Sequence, residues 1–196
     1  MIALNYQVDF LKRSPEDVAR EFLVSKGLFR SAHDGATPST NAQNAGTIVL
    51  GSKVFTEQYT LIHMYRMLIE SHTNLEVDLK TGLGGTQICF GALTNGAIDM
   101  YPEYTGTGLL VMLHAQGKLL DSLLNAKTAS ITDTRGVFGV NDRVYNYVRA
   151  EFARQYNLEW LEPLGFNNAY ALMMRKQQAK ELGIVRISDL VKHLKR

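Results

Sequence analysis

The sequence predicts an α/β fold in which a mostly parallel sheet is covered by helices on both faces. Three observations carry this. From residue 47 onward, short apolar or alternating runs suited to strands take turns with longer stretches whose apolar residues recur every three to four positions. Glycine, threonine and asparagine cluster at the changeovers, where turns need them. The 196-residue chain is 45% hydrophobic and 20% charged, enough apolar material for one ordinary core or two small ones.

The elements follow in order. Ser14 is placed to cap a helix, with Pro15 at its first position and Glu16 and Asp17 in its first turn. Val18, Phe22 and Leu23 then line one face, and Gly27 ends it. Residues 31–46, "SAHDGATPSTNAQNAG", are small, polar and nearly uncharged, the composition of a flexible linker, so a folded unit is expected to begin near Thr47. "TIVLGSK" is a buried strand, and "TEQYTLIHMYRMLIESH" a helix that aligns Leu61, Met64, Tyr65, Leu68 and Ile69 on one face. "LEVDLK" alternates as a strand, "TQICFGALTNG" is helical, "AIDMYPEY" is a third strand and "TGLLVMLHAQG" a further helix.

Residues 118–142 are undecided, with "NDR" capping the helix "VYNYVRAEFARQYN". "LEWLEPLGFNNAYALMMRK" reads as two strands around a turn, and "ISDLVKHLKR" opens a helix at Ser188 that stops after barely two turns. Its apolar Leu190, Val191 and Leu194 need a sheet to cover, so a segment that normally follows is expected to be absent.

Composition excludes several classes. The 21 basic and 19 acidic residues are mixed along the chain and sum to +2, so no basic stripe marks a nucleic-acid partner. The single cysteine, Cys89, rules out an internal disulfide and a zinc site of the usual spacing; in its apolar helical context it reads as a small, inert core thiol. No window reaches the length of a membrane span, and residues 1–30 lack the order of a secretory signal. No cofactor is expected.

Among candidate sites, "TGLGGT" at 81–86 fails the spacing of a phosphate loop and reads as a strand-to-helix turn with Thr86 as N-cap. The five histidines lie in the linker or on predicted helices, away from any nucleophile elbow. An enzyme acting on a small cation would have to use Asp99 or Glu103 as a base near Lys53, with no motif behind it. "GSKVFTEQ" and "DMYPEYTGTG" are different: each sits where a predicted strand ends and a helix starts. Ligands gather at such ends in open α/β sheets, so Lys53, Thr56, Glu57, Gln58, Tyr101, Tyr104 and Thr107 face one crevice in this reading. Singly, Lys53 reads as a solvated turn lysine and Tyr104 as a half-buried packing ring.

Taken together, "GSKVFTEQYTLIHM", "TGLGGTQICFGALTNGAIDMYPEYTGTG" and "LEWLEPLGFNNAYAL" resemble the quaternary-amine class of ABC-transporter substrate-binding proteins, the glycine betaine, carnitine and choline group. The match runs from about Thr47 to the C-terminus. The resemblance implies a periplasmic-binding-protein-like, two-lobed Venus-flytrap architecture, with residues 1–46 as an N-terminal helix and permease-fusion-like connection, 47–150 as the first lobe and 151–196 as an incomplete second lobe. It implies no catalysis, a cage of tyrosines around a trimethylammonium group, and polar groups on the ligand's anionic end. Carried over by position, Tyr104 is a cage tyrosine, Thr107 and Lys53 contact the carboxylate, Gln58 is a polar contact, and Tyr170 with Asn168 comes from the other lobe. Ala169 stands where the family usually has Thr, which leaves specificity open to betaines such as ergothioneine. The implied partners are a quaternary amine, an ABC permease fused or adjacent, and its ATPase, at the extracytoplasmic face of the membrane. A homodimer is implied if exchange completes the fold; the rival is an incomplete fragment that self-associates through exposed sheet edges.

Overall fold

The structure, a computed structural model, describes residues 1–29, 46–125, 140–167 and 173–193. All of the expected linker except Gly46 lies outside the described residues, as do Asn168, Ala169 and Tyr170. The chain divides into two compact units, Met1–Glu162 and Pro163–Arg196.

The larger unit opens with two helices, α1 (Ile2–Asp9) and α2 (Pro15–Ser25). The α2 start is as the sequence implies: the Ser14 Oγ accepts the Asp17 N–H at 3.0 Å, Pro15 needs no donor there, and Glu16 and Asp17 sit on the positive end of the helix. β1 (Thr47–Lys53) leads into α3 (Thr56–His72), then come β2 (Glu76–Gly84) and α4 (Thr86–Thr94). β1 and β2 pair in parallel, from Thr47 opposite Glu76 to Gly51 opposite Lys80.

One expectation changes here. A folded unit starting at Thr47 leaves the N-terminal helix outside the core, but Leu4, Val18, Ala19 and Leu23 are buried in one cluster with Met64 and Met67 of α3. Polar ties flank that seam: Arg66 Nη2 lies 2.6 Å from Glu16 Oε1, and the Thr56 hydroxyl donates to Asp9 at 2.7 Å. Because α3 packs on α2 and on both strands, more than one of its faces is buried; Gln58, Thr60, Ile62 and Met67 join the expected Leu61 and Met64, while Tyr65, Leu68 and Ile69 are half-buried.

The third expected strand, 97–104, is reduced to one parallel bridge between Met100 and Leu50. Gly51 N–H donates to Met100 O at 2.8 Å, but the Val49 N–H is taken by the side chain of Asp99 at 2.7 Å, and Pro102 has no N–H to extend a ladder. After it, α5 (Thr105–Thr107) runs into a π-helical turn, Gly108–Met112. α6 (Gly117–Asn125) fills part of the undecided stretch, and α7 (Val140–Tyr156) takes in Asn141, Asp142 and Arg143 rather than being capped by them. A second core joins Leu109, Met112 and Ala115 to Val144, Val148 and Phe152 of α7, with Trp160 edge-on to Phe152 at 5.3 Å between ring centroids.

In the smaller unit, α8 (Lys176–Leu182) ends at Gly183 with φ 64°, the left-handed turn that glycine adopts freely. The helix expected from Ser188 is a 3-10 turn, Ile187–His193. Asp189, in its first turn, ties down the preceding segment by accepting the N–H groups of Val185 and Arg186 at 2.9 and 2.8 Å, which holds its carboxyl below the usual range. The two strands expected within 158–176 are not formed among the described residues; 158–167 and 173–175 carry no ladder.

Candidate ligand-binding site

The carboxyl end of β1 is where two of the candidate residues, Lys53 and Tyr104, meet. β1 and β2 fall out of step there: Lys53 pairs with Gly84, two positions beyond regular register from the Gly51–Lys80 pair. The extra residues of β2 form a bulge, with Gly82 at φ 63° donating its N–H to the Ser52 hydroxyl at 2.9 Å. The left-handed backbone favours glycine at position 82, and a Cβ there would also press on the Tyr59 hydroxyl at 2.9 Å. The effect is that β1 ends on two buried polar residues, Ser52 and Lys53, instead of continuing its apolar run.

Lys53 is not a solvated turn lysine. Its residue is 2% exposed, and its Nζ lies 2.5 Å from Glu103 Oε1, 3.4 Å from Thr86 Oγ1 and 5.2 Å from the centroid of the Tyr104 ring. A buried ammonium needs that density of partners to offset its lost hydration. Glu103 is itself fixed, since the same Oε1 accepts the Tyr104 N–H at 2.8 Å. Its presence, together with burial as the larger cause, pushes the Tyr101 hydroxyl pKa well up, so Tyr101 stays a neutral phenol.

Tyr104 is held at both ends. Its ring carries the Lys53 cation, and its hydroxyl donates to Glu57 Oε1 at 2.7 Å. Glu57 lies in the first turn of α3, where the helix N-terminus favours a carboxylate. Next to it, Gln58 is completely buried, and neither amide atom has a hydrogen-bond partner among the described residues. A buried amide left in that state costs about 1 to 3 kcal/mol per group, so it stands out as a residue held for something other than stability.

The structure therefore brings together Lys53 and Tyr104 with Glu57 and Glu103, on the β1 end, the first turn of α3 and the loop before α5, while Gln58, next to Glu57 in the sequence, is buried with no side-chain hydrogen bond to them. Thr107, expected at the start of a helix, instead closes α5, which begins two residues earlier at Thr105. Thr86 is not an N-cap; Gly85 holds that position and the Thr86 hydroxyl is turned to Lys53. The absence of a side chain at Gly108 serves packing: a Cβ there would meet Trp160 at 2.9 Å and Val148 at 3.0 Å. The two carboxylates considered as bases are both engaged, Asp99 with the backbone of β1 and Glu103 with Lys53. Cys89 is buried, and burial raises its thiol pKa. Sequence reasoning treated Glu103 as a rival base and missed it as the partner of Lys53, because a pairing across 50 positions leaves no local signal.

The OpuAC family, described as the substrate binding domain of ABC-type glycine betaine transport system, matches residues 46–196. The chain belongs to this family. It is 32% identical over 150 residues to a glycine-betaine-binding protein of Pseudomonas aeruginosa, which covers 76% of this chain and 41% of that one. It is 29% identical over 154 residues to the ergothioneine transport permease/ergothioneine binding protein EgtU of Helicobacter pylori, covering 78% of this chain and 24% of the relative. A third relative, the carnitine transport binding protein OpuCC of Listeria monocytogenes, is 26% identical over 171 residues, or 87% of this chain and 48% of its own length. The chain thus spans less than half the length of each of these relatives. Residues 1–29, which supply four of the six buried residues of the first core, precede the stretch that the family covers.

Proposed function

We propose that the protein is the solute-binding part of an ABC importer and captures a quaternary amine such as glycine betaine, carnitine or choline. The observation that carries this is the cluster of Lys53, Glu103, Tyr104 and Glu57 at the end of β1, in a chain of the glycine betaine binding family. A quaternary ammonium has no N–H to donate, so ring faces and carboxylates are the groups that recognise it, each ring contact worth about 0.5 to 2 kcal/mol. In this reading Tyr104 offers a ring, Lys53 and Thr107 take the anionic end of the ligand, Gln58 supplies the amide that is otherwise unbonded, and Asn168 and Tyr170 complete the cage. The same proposal keeps a first lobe from residue 47 and a second lobe towards the C-terminus, with the N-terminal helices packed on the first rather than serving only as a connection.

The importer's permease and ATPase are the proposed partners, and the extracytoplasmic face of the membrane the proposed location. A relative named as both permease and binding protein supports a tether through the permease. Among the described residues no helix is long and apolar enough to cross a membrane. Isothermal titration with glycine betaine, choline, carnitine and ergothioneine tests the reading. Micromolar or tighter binding of at least one is expected; a folded sample that takes up heat from none of them overturns it.

A further inference from the structure

Resting on the reading of this site as one for quaternary amines, we propose that Glu103 is a specificity-determining residue. By pairing with Lys53 in a buried position, it makes the site select ligands that carry both a quaternary ammonium and a carboxylate over ligands that carry only one of these charges.

The argument is one of charge balance in a place with little water. Lys53 and Glu103 have 2% and 6% of their side-chain surfaces exposed, and their charged atoms are 2.5 Å apart. One cation, the Lys53 ammonium, serves both the Glu103 carboxylate and the Tyr104 ring. A ligand ammonium that seeks the same ring and carboxylate has to replace it. If the ligand also carries a carboxylate, that group takes over Lys53 while the ligand cation takes over Glu103, and every buried charge ends up paired. A ligand with a cation alone leaves two cations sharing one carboxylate. An anion alone leaves Glu103 beside a second negative charge. Leaving a buried charge without its partner is among the costliest changes a site can undergo.

The neighbours are arranged for such an exchange. Glu103 is held by the Tyr104 N–H at 2.8 Å, independently of Lys53, so it stays in place when the lysine turns to another anion. Lys53 has a second acceptor in the Thr86 hydroxyl at 3.4 Å. Glu57, the other buried carboxylate nearby, receives the Tyr104 hydroxyl and sits on the α3 N-terminus, so it is compensated without Lys53.

The test compares glycine betaine with two analogues, each lacking one charge: choline, which keeps the ammonium, and tert-butylacetate, which keeps the carboxylate and replaces nitrogen by carbon. In the parent protein, betaine is expected to bind at least about tenfold tighter than either. Glu103→Gln keeps the shape and an acceptor for the Tyr104 N–H, and should shift the balance toward tert-butylacetate by about tenfold or more relative to betaine. Lys53→Met should shift it by a similar factor toward choline. Calorimetry gives the affinities, and far-ultraviolet circular dichroism confirms that each variant is folded. Ratios that stay within about threefold of the parent's, or an equal loss of all three ligands in folded variants, overturn the inference and make the pair a structural latch. Choline or tert-butylacetate matching betaine in the parent overturns it whatever the variants do. If the parent binds none of the three, and no carnitine or ergothioneine either, the reading of the site falls first; if it binds a betaine with unchanged ratios, only the role of Glu103 falls.

Discussion

The Tyr104 side chain has two separable jobs, one on its ring and one on its hydroxyl. Tyr104→Ala removes the ring face and is expected to weaken quaternary-amine binding by about 1 to 2 kcal/mol or more, read by calorimetry. Tyr104→Phe keeps the face but loses the bond to Glu57, so ligand affinity should stay near the parent's while unfolding stability drops by about 1 to 2 kcal/mol. If both variants bind as tightly as the parent, the ring is packing alone. Gln58 gives the opposite sign. Its amide is completely buried and unbonded among the described residues, so Gln58→Leu, close in volume, should stabilise the folded protein by about 1 kcal/mol or more in urea unfolding and at the same time weaken ligand binding. A variant that is less stable would show that the amide already has partners.

At the scale of an element, α3 does most of the positioning. Its first turn carries Glu57 to the Tyr104 hydroxyl, while Met64 and Met67 further along are covered by α2. On that seam His63 is partly buried beside Arg66, and burial first, then the guanidinium, lower its pKa despite the opposing pull of Glu16 3.9 Å away. A base whose folded-state pKa is depressed binds protons more readily in the unfolded chain. Its contribution to stability is therefore complete above the unfolded value of about 6.5 and is lost as pH falls below it. Urea unfolding of the parent should lose stability from about pH 7 downward more steeply than His63→Gln does. Identical slopes for the two proteins would remove His63 from the account.

For the whole molecule, the N-terminal helices decide where the folded unit begins. A chain started at Gly46 would uncover Met64 and Met67, lose the Arg66–Glu16 ion pair and free Thr56 from Asp9. It is expected to lose more than about 3 kcal/mol of stability or its cooperative unfolding altogether, measured by circular dichroism against urea. If the shortened chain unfolds like the parent, α1 and α2 are an addition that the core does not need. The same experiment with ligand present shows whether support reaches the site, because Thr56 stands at the start of the helix that carries Glu57 and Gln58.

By itself the sequence determined the parts whose signals are local. Ser14 and Pro15 set the start of α2, the apolar period of residues 56–72 set α3 to the residue, and the motifs around Lys53 and Tyr104 marked the end of β1 and the loop before α5, which meet. Only the tertiary structure decided the rest. The third strand shrank to a bridge because the Asp99 side chain took the Val49 N–H that a neighbouring strand would have used. Lys53 became a buried ion-pair partner because Glu103, 50 positions away, was brought to its Nζ. Propensity and periodicity act over a few residues, whereas the cost of burying a charge is settled by whichever groups the fold carries to it, and the spacing of those groups along the chain holds no record of that meeting.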